Sequence, residues 1–463
     1  MTVRQTRVLK TSTRQNRIRP WLAGALGAIA FCAPAQGQII GGLPLPTQAL
    51  PSAGLPDISG VRPLPRTDRL AAPVRGLTTR VLTQARRLGL DALVRENPTL
   101  LEVDDQGAAV VRGEILALSP SPEALTRLRA AGFTGGRDLD AGELDLGLTV
   151  LAPTSGLSAR QAVAEARRLD PGGQYDFNHL YSDAGGGAGP APAPANRSAP
   201  AANSIRVGLV DAGVDARHPA LRGARVEQRG FAPGGVRAHG HGLATAALLV
   251  GRQDRFRGAA PGATLYVADV YGNTPVGGSA DALVQGLAWM ARARVAVINV
   301  SLVGPPNLAL QAAVRALNAR GHLIVAAVGN DGPAAPPLYP AAYPGVVAVT
   351  AVDGRRRILP EAGRPARIDF AAPGADMAVP AVDGGFVAVR GTSFAAPLVA
   401  GSLAALLPAP DPRSAAWARA ALAGRALDLG PPGPDRTYGQ GLVGFDLVAR
   451  PSAVAARGLL TRR

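Results

Sequence analysis

Between Ser204 and Ala449 the chain repeats one alternation: short, uninterrupted apolar runs separated by segments with helical spacing. The runs are IRVGLV, TLYVADV, RVAVINVSLV, HLIVAAVG and GVVAVTAV, and between them lie SADALVQGLAWMARAR and NLALQAAVRALNARG. A strand that is apolar on both sides has to be covered on both faces, and strands separated by helices return in the same direction. The expected fold is therefore α/β: a mostly parallel central sheet with helices on both faces. In such sheets ligands and chemistry gather at the carboxyl ends of the strands.

Upstream the texture differs. Leu70 to Asn97 has helical spacing, AVVRGEILALSP from Ala109 is strand-like, and SPEALTRLRAAGF is a helix opened by a Ser121 cap. GELDLGLTVLAP alternates as a strand, SARQAVAEARRLDP is a second capped helix, and YDFNHLYS closes as a short strand. This β-α-β-α-β order predicts a small α+β unit of the ferredoxin-like kind over residues 67–183. AGGGAGPAPAPANRSAPAAN, residues 184–203, is nearly uncharged and unable to bury a core, so it reads as an extended, protease-accessible linker. Residues 36–66 form a Pro- and Gly-rich linker, residues 204–450 the α/β domain, and residues 451–463 a tail.

The first 35 residues have their own signature. Arg4, Arg7, Lys10, Arg14, Arg17 and Arg19 precede WLAGALGAIAFCAPA, which ends in an Ala-Pro-Ala exit. A basic head, a short apolar body and a small-residue exit make a secretory signal peptide, and the run is short for a membrane span. The expectation is a secreted or periplasmic protein with no stable membrane span after signal removal. The only cysteine, Cys32, lies inside this segment, which excludes disulfides and thiol chemistry in the mature chain. The net charge of +16 does not indicate a nucleic-acid partner: 48 of the 49 basic residues are arginines, scattered without aromatic interleaving or a basic stripe.

Three side chains stand out for chemistry. IRVGLV runs directly into Asp211, and a carboxylate at the end of a buried strand needs donors around it. His239 and His241 sit among glycines at the start of the small-residue segment AHGHGLATAALLVG. Ser393, in RGTSFAAPLVAG, starts an apolar helix, where a serine serves either as a cap or as an exposed nucleophile. His179, His218 and His322 lie in contexts better suited to structural roles.

These motifs resemble the subtilisin-like serine proteases. VGLVDAGVDARHPAL resembles the family's aspartate motif, and GHGLATAALLVG matches its histidine motif in length and so selects His241. RGAAPGATLYVADV, AVINVSLVG, AAVGNDGP, DFAAPG with GTSFAAPLVAG, and LDLGPPGPDRTYGQGLVGFDLV follow in the family's order. The resemblance implies a catalytic triad of Asp211, His241 and Ser393, with Asn330 and the Ser393 N–H as oxyanion donors. It further implies a substrate cleft lined by Ser301, Leu302, Val303, Gly304, Ala327 and Gly329. The implied function is a serine endopeptidase acting on polypeptides through an acyl-enzyme and made as a zymogen. The 67–183 unit resembles the family's N-terminal propeptide and would be its intramolecular inhibitor, with the cleavage region in or just before the 184–203 linker.

The chain departs from the family's pattern at Ala212, Leu243 and Ala244, where hydroxyls or a second histidine are usual, and at Val303, where glycine is usual. A branched side chain at 303 would encroach on the substrate groove. These softened positions motivate an alternative: a weak or inactive protease-fold binding protein with a permanently occluded groove. No cofactor is implied, and a structural calcium is left open because no carboxylate cluster stands out.

Overall fold

The computed structural model describes residues 89–154, 156–184, 205–274 and 277–450. The chain divides into two compact units between Arg66 and Thr67, and every described residue lies in the second. The expected signal segment, the 36–66 linker, most of the 184–203 linker and the 451–463 tail fall outside the described residues. Of the helix expected over Leu70–Asn97, residues 89–96 are described and helical.

The first part is built from antiparallel strands. These are β1 (Leu101–Val103), β2 (Ala109–Leu118), β3 (Phe133–Asp138), β4 (Leu148–Pro153) and β5 (Gln174–His179), with helices α1 (Pro122–Ala130) and α2 (Ala159–Leu169) between them. The sheet runs β1-β2-β4-β3, with β5 also paired to β2. Ser121 caps α1, and Ser158 caps α2 in a reciprocal pair with Gln161. Two details differ from the sequence expectation. FTGGRD forms β3, a strand that its two glycines and polar residues conceal. GEL, read as the start of a strand, is a 3-10 turn ended by Asp145 in the left-handed region, because Leu144 turns inward to be buried.

After the two-residue strand β6 (Ser182–Asp183) comes the large sheet. Its strands are β7 (Arg206–Asp211), β8 (Val226–Gly230), β9 (Thr264–Asp269), β10 (Val297–Val300), β12 (Leu323–Ala327), β13 (Val347–Val352) and β14 (Phe370–Pro373), and the short β11 (Leu302–Val303) follows β10 outside it. The order is β14-β13-β12-β10-β7-β9-β8, and every neighbouring pair is parallel. Alternate side chains of each strand feed opposite faces. Val207 and Leu209 pack with α3 (Gly240–Val250), α6 (Thr392–Ala404) and α7 (Pro412–Ala423), whereas Val210 packs with α4 (Ala280–Arg292) and α5 (Leu308–Ala319). This is the double-faced cover that the apolar runs demanded.

The face made by α4 and α5 is also covered by the small α+β part. Leu116, Leu139, Leu144, Leu148 and Val150 share one buried cluster with Leu283, Leu287, Leu310 and Val314. Polar contacts ring this apolar seam. Asp176 Oδ2 accepts the Leu308 N–H at 2.7 Å, and Asn178 Oδ1 accepts the Asp281 N–H at 3.2 Å. A carboxylate at the first turn of α5 also complements the helix dipole. Arg137 pairs with Asp281 at 2.8 Å.

Candidate active site

β7 carries Asp211 to the carboxyl edge of the central sheet, where it is fully buried. Its Oδ1 accepts the Ala212 N–H at 2.7 Å and lies 2.9 Å from His241 Nδ1. Because a carboxylate only accepts, His241 Nδ1 carries the proton and Nε2 is left as a free acceptor. The hydroxyl of Thr245, one turn further along α3, lies 3.2 Å from Asp211 Oδ2. It stands in the neighbourhood left without a hydroxyl by Ala212. The four-residue spacing from His241, which puts both on one helix face, was the sequence signal that could have found it.

His239 caps α3, its Nδ1 accepting the His241 N–H at 3.2 Å. The helix start packs tightly on the β7 end: a Cβ on Gly242 would fall 2.4 Å from the Ala212 carbonyl oxygen. Burial pushes the His241 imidazolium down, but the charge and hydrogen bond of Asp211, with a contribution from Asp183, outweigh it and lift its pKa above 6.5.

Ser393 enters from the other side, at the start of α6 after Gly391, whose φ of 144° suits glycine. Asn299 Nδ2 donates to Ser301 Oγ at 2.9 Å, and Ser301 Oγ donates to the Ser393 carbonyl at 3.0 Å, so the helix start is pinned from β10. Thr392 ties the same turn to the β12 end: its Oγ1 accepts the Gly329 N–H at 3.2 Å, and its N–H donates to Asn330 Oδ1 at 3.0 Å. That bond turns Asn330 Nδ2 outward. Ser393 Oγ and His241 Nε2 are both buried and have no hydrogen-bond partner.

One backbone oxygen lies where these donors converge. The Ala184 carbonyl accepts from Asn330 Nδ2 and stands 3.4 Å from the Ser393 N–H. The segment leading to it lies in the cleft as an added strand. Asp183 faces Leu302 and Ser182 faces Val303 in an antiparallel pairing, and the Ala184 N–H donates to the Ser301 carbonyl at 3.0 Å. Tyr181 packs against Gly304, where a Cβ would come within 2.4 Å of its ring, and its N–H donates to the Gly278 carbonyl at 2.8 Å. Ala327 lies buried at the end of β12, and Gly329 follows with its N–H held by Thr392. Neither Asp183 nor Ala184 was singled out as a site residue from the sequence; a linker residue shows no side-chain signal for a role played by its carbonyl.

The remaining histidines serve the scaffold. His179 meets Asp104 at 3.1 Å, His218 meets the Ala381 carbonyl at 2.9 Å, and His322 meets the Val295 carbonyl at 2.7 Å. Among the described residues no group of three or more His, Cys, Asp or Glu side chains could hold a metal ion, and no helix is long and apolar enough to cross a membrane.

The family model of the subtilase family matches residues 202–441. This chain belongs to the subtilase family. Subtilisin DY from Bacillus licheniformis is 32% identical over 256 residues, which cover 53% of this chain and 91% of that protein. Subtilisin Savinase from Lederbergia lenta is 34% identical over 268 residues, covering 54% of this chain and 96% of that protein. Fervidolysin from Fervidobacterium pennivorans, described as a keratinolytic enzyme related to subtilisin, shares the fold with a TM-score of 0.60 and 22% identity. That alignment spans 75% of this subtilase and 62% of fervidolysin. The chain is thus a serine protease by family, and polypeptides are its substrate class.

Proposed function

We propose that this subtilase is a secreted or periplasmic serine endopeptidase made as a zymogen, cofactor-free in its chemistry, and that it cuts its own chain after Ala184. The supporting observation is the single carbonyl oxygen of Ala184 set on two donors, Asn330 Nδ2 and the Ser393 N–H. Donors aimed at one carbonyl stabilise the negative charge that grows there during acyl transfer.

In this reading Ser393 Oγ attacks the carbonyl carbon while His241 Nε2 takes its proton. Asp211 holds the ring in the tautomer that leaves Nε2 free and stabilises the imidazolium. The tetrahedral intermediate then expels the amine, which receives the proton from His241, and an ester joins Ser393 to the acyl half. Water, deprotonated by His241, hydrolyses the ester and restores the hydroxyl. The α+β part preceding Ala184 acts as inhibitor. After cleavage its apolar seam with α4 and α5 still holds residues 181–184 in the cleft. The basic head, short apolar run and Ala-Pro-Ala exit of residues 1–35 support export, because that pattern fits a signal peptide.

The test is N-terminal sequencing of the purified protein beside Ser393→Ala. The reading expects a new terminus at Gly185 in the native protein only, together with fluorophosphonate labelling at Ser393. An inactive binding protein would give neither the new terminus nor the label.

A further inference from the structure

The identity of the residue at the scissile carbonyl matters for what else the site can cut. We infer that the cleft selects polypeptides with a small residue, alanine foremost, immediately before the scissile bond, because Val303 and Leu338 close the pocket into which that side chain points. The inference rests on the peptidase reading above and concerns its specificity.

Four observations carry it. The carbonyl held by Asn330 and Ser393 belongs to Ala184, so the Ala184 methyl marks the first specificity position. That residue is 3% exposed, and it shares a buried cluster with Val303 and Ala327, against which Leu338 packs. Leu338 and Val303 both border the Gly329 turn: a Cβ built on Gly329 would lie 2.5 Å from Leu338 Cδ1 and 3.6 Å from Val303 Cγ1. Gly329 directly precedes Asn330, whose Nδ2 holds the Ala184 carbonyl, so both side chains border the turn that presents this donor. A larger side chain at position 184 would extend into volume that these two branched residues already fill, and interiors packed to this density resist added methylenes.

With little binding available from a methyl group, affinity has to come from further along the chain. Tyr181, three residues upstream, supplies it. Its side chain is 1% exposed, its ring lies against the Gly304 backbone, and its hydroxyl donates to the Pro305 carbonyl at 2.8 Å. Binding energy from such a remote group is what an enzyme spends on orienting a poorly gripped reacting centre. The cleft therefore reads Tyr-x-x-Ala in its own chain.

The test uses the processed enzyme, separated from its cleaved N-terminal part by gel filtration, with internally quenched peptides Tyr-Ser-Asp-X-Gly, where X is Ala, Ser, Leu, Phe or Lys. We expect kcat/KM for Ala to exceed that for Leu and Phe by at least about 100-fold, since a closed pocket discriminates by about 10–200-fold per methylene. In Val303→Gly, and separately in Leu338→Ala, the Phe-to-Ala ratio should rise at least about tenfold. Native enzyme that cuts after Leu, Phe or Lys as fast as after Ala overturns the inference, as does a ratio unchanged in both variants. Fluorophosphonate labelling of Ser393 separates the two levels. Labelled enzyme with large-residue preference sinks only the specificity, whereas unlabelled enzyme with no cleavage of any peptide sinks the peptidase reading and this one with it.

Discussion

At the scale of single residues, the decisive pair is two buried atoms without partners, His241 Nε2 and Ser393 Oγ. A buried acceptor and a buried donor left unsatisfied each cost stability, and a reaction centre is one reason for a fold to keep them. An imidazole acts as a base only when neutral, and the pKa of His241 is raised above 6.5 by Asp211 against the pull of burial. The kcat/KM profile should therefore rise with pH and have its acid-side midpoint above 6.5. Asp211→Asn removes that lift and leaves the wrong tautomer, so kcat should fall about 10⁴-fold, as read by peptide hydrolysis. Asn330→Ala deletes one of the two donors on the Ala184 carbonyl, and a loss of about 10²–10³ in kcat is expected. The sequence singles out these four positions, Asp211, His241, Asn330 and Ser393, through motifs that resemble those of the subtilases. Thr245 is harder to assign, because a threonine inside a helix looks alike in a scaffold and in a site.

At the scale of elements, periodicity located what was strongly apolar. The buried strands β7, β9, β10, β12 and β13 and helices α4 and α5 all follow runs visible in the sequence. It did not locate β8, whose sequence is VEQRG, or β3, whose sequence is FTGGRD. β8 is an edge strand paired only on its β9 side, so it needs little apolar character and shows little. The added strand β6 was equally hidden: two residues held by backbone bonds to β11 leave no side-chain pattern. Its docking depends on Gly304, where a methyl group would lie 2.4 Å from the Tyr181 ring. Gly304→Ala should loosen residues 181–184, slow the appearance of processed protein on a denaturing gel, and speed release of the cleaved N-terminal part. Processing at the native rate would show that Tyr181 can shift at no cost.

At the scale of the whole molecule, the seam between the α+β part and α4 and α5 combines apolar burial with acids in awkward places. Glu114 is held above its ordinary 4.5, chiefly by burial, with nearby Asp281 adding repulsion against the relief from Asn178 and Arg137. Asp183, in the cleft, is held above its ordinary 3.8 by burial first, with Asp211 adding and His241 relieving. A carboxyl raised on docking prefers its neutral form there, so its contribution to docking is full below the undocked pKa and is lost as pH rises through the docked value. The cleaved N-terminal part should therefore stay bound near pH 4 and come away more readily towards about pH 8, as followed by gel filtration of the processed protein. Glu114→Gln should flatten that dependence. Tighter association at the higher pH would refute the sign.

The sequence by itself determined the α/β class, the order of the catalytic motifs and the residue types available to them. Those depend on local chemistry: an apolar run must be covered, and a carboxylate at a buried strand end must be answered. What the Ala184 carbonyl does was decided only by the tertiary structure. Its two donors come from Asn330 and Ser393, 146 positions from Ala184 in the first case, and meet there through packing alone. The closing of the first pocket by Val303 and Leu338 is of the same kind. Val303 announced a narrowed groove, but Leu338 joins it there only because both border the Gly329 turn. Contacts between distant segments leave no period in the sequence, and only the folded chain brings them to the Ala184 carbonyl.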